Sequence, residues 1–100
     1  MEILLTFFAG AFAFNAIPHL VKGISGQTHM TPFKRVSSPM LNIFWAFCNI
    51  FLAVILLNLN LSSVLMQDKL ITFLFGGLFM AAADAWLFGR PNARLPWHKD

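Results

Sequence analysis

At 100 residues the chain has room for one domain, and with 58% hydrophobic and 11% charged residues and a mean hydropathy of +0.70 it is too apolar for a soluble fold of that size. The class is integral membrane protein. Its formal charge of +3 does not argue for a nucleic-acid partner, because Lys and Arg collect in the cytoplasmic loops of membrane proteins, and the lone Cys48 excludes an intrachain disulfide.

The first apolar run, Ile3 to Val21, is about twenty residues, the length that crosses ~30 Å of hydrocarbon at ~1.5 Å per residue. Its segment AGAFA (Ala9 to Ala13) offers the small residues of a signal-peptide cleavage site. The charge ahead of it is Glu2, however, where a signal peptide carries Lys or Arg, so a retained helix is expected. Thr6, Ala9, Gly10 and Ala13 fall on one side of that helix, and Asn15 and His19, four residues apart, fall roughly opposite. Two such faces imply two neighbours, in this chain or in another subunit. Pro18 has no amide proton to give the carbonyl of Phe14, which predicts a bend there with Asn15 beside the freed acceptor.

The connection that follows, KGISGQTHMTPFKRVSSP (Lys22 to Pro39), is rich in turn formers. Met30, Pro32 and Phe33 form an apolar knot between its charged ends, and the segment is expected to fold back over the mouth of the bundle as a lid. The second span, Met40 to Leu61, carries Asn42, Ala46, Asn49, Ala53 and Asn60 near multiples of 3.6, a small and polar stripe that should face protein rather than lipid. Asn58 and Asn60 mark its outer end. After a short connection (Ser62 to Lys69) the third span, Leu70 to Gly89, places Gly77, Ala81, Asp84 and Ala85 on one face. Gly77, Ala81 and Ala85 make a small-xxx-small series that admits a second backbone, so a homo-oligomer, most simply a dimer, is expected.

Three spans put the first loop and the tail from Arg90 to Asp100 on the same side, and these hold Lys22, Lys34, Arg35, Arg90, Arg94 and Lys99. The positive-inside rule makes that side cytoplasmic and the N-terminus external. Trp45, Trp86 and Trp97 fall toward the same side as a one-sided aromatic belt.

By depth, Asn15 and His19 of the first span, Asn42 and Asn49 of the second and Asp84 of the third converge on one leaflet. A carboxylate in a span costs ~2.5 to 3.5 kcal/mol on insertion scales and marks a site by default. These five are therefore the candidate ligand-binding residues, with Pro18, Gly77, Ala81, Ala85, Trp45 and Trp86 in structural roles. The competing reading makes the asparagines interhelical glue and Asp84 a hydrogen-bond partner of Asn42, Asn49 or His19. His19, Cys48 and Asp84 lie at different depths, so no metal site is expected. One intramembrane histidine is too little to argue for haem, and no cofactor is expected. No phosphate-cradling glycine loop and no nucleophile–base pair points to catalysis.

The stretches NAIPHLVKGISGQTHMTPF (Asn15 to Phe33) and SSPMLNIFWAFCN (Ser37 to Asn49) resemble a group of small bacterial membrane proteins in which an IPH segment, a Gly-containing TPF loop and an Asn-Trp helix start recur. The resemblance covers about the first half of the chain. It implies a bacterial inner-membrane protein, carries over no activity, and draws attention to Pro18, His19, Thr31, Pro32, Phe33, Asn42, Trp45 and Asn49. The third span with Asp84 lies outside it. The expectation is an all-α bundle of three transmembrane helices whose lipid-facing sides meet the bilayer and whose polar interior serves a small solute or ion. An accessory subunit of a larger complex and a redox protein are the alternatives.

Overall fold

Each apolar run folds as one helix long enough to span a bilayer: α1 is Glu2–Ile24, α2 is Pro39–Asn58 and α3 is Met66–Phe88. The computed structural model describes residues 1–59 and 66–98, so Asn60, the expected end of the second span at Leu61, and Lys99 lie outside the described residues. α1 runs a turn beyond Val21 because Lys22 and Ile24 carry the helix past Gly23, and it stops before Gly26, whose φ of 72° is left-handed. α2 starts one residue ahead of Met40. Ser38 is extended and its hydroxyl accepts from the amide of Leu41 at 3.1 Å, while Pro39 occupies the first helical position where no amide is needed. α3 begins four residues ahead of Leu70, with Asp68 in a first turn that favours negative charge.

α1 is the middle helix. α2 and α3 both pack against it, and among the described residues no Cα of α2 comes within 8 Å of one of α3. Both neighbours that the two faces of α1 require are therefore in the same chain. Toward α2, the stripe Asn42, Ala46, Asn49 and Ala53 is buried as its spacing predicts. On α1 the buried set is Thr6, Ala9, Gly10, Ala11, Ala16, His19 and Gly23, with Ala13 only half-buried.

The α1–α3 contact is made backbone to backbone. A methyl group at Gly10 would strike the carbonyl of Phe73, and one at Gly76 would strike that of Phe7, so both positions need glycine for the helices to approach this closely. Gly77 sits one residue on, under the ring of Phe14. The expected small-residue series thus divides: Gly77 is used inside the chain, whereas Ala81 and Ala85 are exposed. Beyond Gly77 the side chains of Phe14, Ile17 and Pro18 leave a lateral groove of about 480 Å³ against Ala81, Asp84, Ala85 and Phe88.

The outer surface is apolar. Phe44, Phe47, Phe51 and Val54 of α2 and Leu74, Phe75, Leu78 and Phe79 of α3 are each nearly half exposed or more, an arrangement suited to lipid and not to water. At one end of the bundle the first loop closes on itself, with the amide of His29 donating to Ser37 O at 3.2 Å and the amide of Ser37 donating to His29 O at 3.1 Å.

Candidate functional site

Buried amides must satisfy both ends, and here that requirement orders two chains of hydrogen bonds that start on backbone carbonyls near the beginning of α2. In the first chain, Asn42 is wholly buried and its Nδ2 donates to the carbonyls of His29 (3.0 Å), Ser37 (3.2 Å) and Ser38 (3.0 Å). Its Oδ1 therefore accepts from Nδ1 of His19 at 2.8 Å, which assigns the proton of that imidazole to Nδ1 and leaves the Nε2 lone pair available in the neutral ring. In the second chain, Nδ2 of wholly buried Asn49 donates to Trp45 O at 2.9 Å and its Oδ1 accepts from Nδ2 of Asn15 at 3.0 Å. The other end of the Asn15 amide lies 2.9 and 3.1 Å from the two carboxyl oxygens of Asp84.

The five polar residues singled out by depth are thus joined as two chains, His19–Asn42 and Asp84–Asn15–Asn49. The titratable ends of both, His19 and Asp84, line one cavity of about 160 Å³ together with Asn15, Trp45 of α2, Met30, Thr31 and Pro32 of the loop, and Leu87, Phe88 and Leu95 beyond. This space is large enough for several water molecules. Asp84 also borders the lateral groove, so it stands between the polar cavity and the lipid-facing side. Pro18 lines that groove with it, and α1 continues as a helix through the proline. Among the described residues no group of three or more His, Cys, Asp and Glu side chains is placed to hold a metal ion.

The loop covers the cavity as expected, with one difference. Met30 is buried and Pro32 half-buried, but Phe33 is 54% exposed and turns outward, its ring edge-on to Trp45 at 5.4 Å. What replaces it is polar. Thr31 and Ser37, both buried, join their hydroxyls at 2.6 Å, and the Thr31 hydroxyl accepts from the amide of Phe33 at 3.2 Å.

The tail locks onto this loop, which nothing in its composition announces. Nε1 of Trp97 donates to Pro32 O at 2.6 Å, and Nε of Arg35 donates to Ala93 O at 3.1 Å. Buried His98 makes two bonds: its Nδ1 accepts from the amide of Leu95 at 3.0 Å, so Nε2 carries the proton that Thr31 O accepts at 2.7 Å. Trp86, by contrast, is 66% exposed under the guanidinium of Arg90, 4.5 Å from its ring centroid.

His29 closes the lid from the other side. Its ring meets Phe88 at 4.3 Å and His19 at 5.2 Å, and its Nε2 is buried with no partner. Burial, with the nearby His19 and Lys22, lowers its pKa from 6.5 to about 4. Comparison with protein-family models, with curated proteins and with solved structures returns no match.

Proposed function

We propose that the protein is a small transporter or channel-like protein that binds a small solute or ion in the cavity between His19 and Asp84. One observation carries this reading: an acid and an imidazole drawn from two apolar helices line one cavity beneath the loop, which the tail holds in place. Intramembrane ionisable groups are costly to retain, and sites of this kind form pathways for protons and ions. The volume of about 160 Å³ favours an ion or a solute of a few heavy atoms.

The basic residues of the loop and tail support a cytoplasmic lid and an external N-terminus by the positive-inside rule, and the resemblance of the first half of the chain to bacterial proteins supports a bacterial inner membrane. Exposed Ala81 and Ala85 beside the lateral groove favour a second copy packing there, which would close Asp84 off from lipid. The test is a pH jump across proteoliposomes loaded with a pH-sensitive dye. Wild-type protein is expected to speed equilibration and Asp84→Asn to abolish the gain. Equal rates in protein-free, wild-type and Asp84→Asn vesicles, with no solute gradient collapsed by wild type, would leave the accessory-subunit reading in its place.

A further inference from the structure

We infer that Asp84 is a proton-binding site that holds its proton as a neutral carboxylic acid donating to Asn15, and that losing this proton turns the Asn15 amide and breaks its bond to Asn49 of α2. The inference deepens the transport reading, on which it rests for the meaning of the pocket, and names the proton as the ligand of Asp84.

Hydrogen-bond direction locates the proton. Trp45 O is a backbone carbonyl and can only accept, so the end of Asn49 that meets it at 2.9 Å must be Nδ2. The other end, Oδ1, then faces Asn15 and needs a donor, which is Nδ2 of Asn15 at 3.0 Å. This leaves Oδ1 of Asn15 against the Asp84 carboxyl oxygens at 2.9 and 3.1 Å. Two oxygens at that separation attract only if one carries hydrogen, and an amide oxygen carries none. The proton is on Asp84.

Turning the Asn15 amide by half a turn gives the alternative, in which its Nδ2 donates to both oxygens of an ionised carboxylate. Its oxygen then meets Asn49 Oδ1 at 3.0 Å, a contact between two acceptors. Turning Asn49 as well only moves the conflict to the Trp45 carbonyl, which cannot turn. Each protonation state of Asp84 thus selects one orientation of Asn15, and only the protonated state keeps the α1–α2 bond between Asn15 and Asn49. On release the O–H bond of Asp84 breaks, the electron pair stays on the carboxylate and the proton passes to water. His19 of α1 is the titratable group that shares the cavity with Asp84; α2 lines it with Trp45 and the lid with Met30, Thr31 and Pro32, while His29 of the lid meets His19 at 5.2 Å from outside that lining.

The test is infrared spectroscopy of the protein in lipid nanodiscs, following the carboxylic C=O stretch that ionisation removes and deuterium exchange shifts. At neutral pH the wild type is expected to show a protonated carboxyl band that is absent from Asp84→Asn. Asn49→Leu frees Asn15 to serve the carboxylate, and the loss of one hydrogen bond is expected to lower the protonated-to-ionised ratio about tenfold. A wild type with carboxylate bands alone at neutral pH overturns the inference, as does a band that Asn49→Leu leaves unchanged. Proton flux without the carboxyl band sinks this inference alone, and the band without flux sinks the transport reading alone.

Discussion

Asn42 ties three elements together, and removing its side chain should open the lid. In Asn42→Ala the three carbonyls that Nδ2 serves do not all lose their partners: His29 O keeps the amide of Ser37 (3.1 Å), Ser37 O keeps that of His29 (3.2 Å) and Ser38 O keeps that of residue 42 (3.0 Å). Each loses only a second bond. The group left without a partner is Nδ1–H of His19, a buried donor facing Oδ1 across 2.8 Å. One orphaned donor costs about 1–3 kcal/mol, and with the weakened second bonds the docking of the loop should fall by about 2–4 kcal/mol. That corresponds to a rise of roughly 30- to 900-fold in the undocked population. Hydrogen exchange in nanodiscs reads it directly as faster exchange at the amides of His29, Thr31 and Ser37, with α3 unaffected. Unchanged protection of those amides would refute the role given to Asn42.

Other perturbations follow from the same contacts. Gly10→Ala and Gly76→Ala each drive a methyl group into a carbonyl of the facing helix, so each should cost about 1–3 kcal/mol and loosen α3 from α1, measurable by disulfide trapping between cysteines placed on the two helices. Trp97→Phe keeps the ring and loses only the bond to Pro32 O, so it should weaken the tail latch by about 0.5–1.5 kcal/mol and speed proteolysis at Lys34 and Arg35, as His98→Ala should to a greater degree. The docked His29 titrates near 4 against 6.5 when released, so docking is fully stable above pH 6.5. Below that the released loop takes up a proton that the docked one refuses, and docking weakens by up to ~1.4 kcal/mol per pH unit until the pH reaches about 4. His29→Gln should remove that slope in a hydrogen-exchange series. Ala81→Leu, but not Gly10→Ala, should dissociate a homodimer in lipid if α3 carries the interface.

Much of this arrangement was legible in the residues. The 3.6-residue recurrence of Asn42, Ala46, Asn49 and Ala53 marks a face that lipid cannot take, and it is the face buried on α1. The shared depth of Asn15, His19, Asn42, Asn49 and Asp84 brings them together because helices of similar length in one bilayer keep polar groups level. Gly76 was hidden by its neighbour: spacing by fours from Ala85 through Ala81 selects Gly77, whereas the close approach at Phe7 falls one residue earlier. The tail was hidden for a different reason. Trp97 and His98 bind the backbone carbonyls of Pro32 and Thr31, and a carbonyl acceptor has no residue signature. Phe33 reads as a lid residue by its apolarity alone, but the ring of Trp45 offered it a contact outside the cavity.

Asp84 faces a cavity reached from the lid side, and thiol accessibility distinguishes that position from a lipid-facing one. With Cys48→Ser as background, Asp84→Cys in sealed vesicles is expected to react with a membrane-impermeant maleimide from the lid side, slowly with the lid intact and faster when Asn42→Ala is added. Reaction with a lipid-soluble reagent alone, at a rate indifferent to Asn42→Ala, would contradict the account and place the acid in the lateral groove.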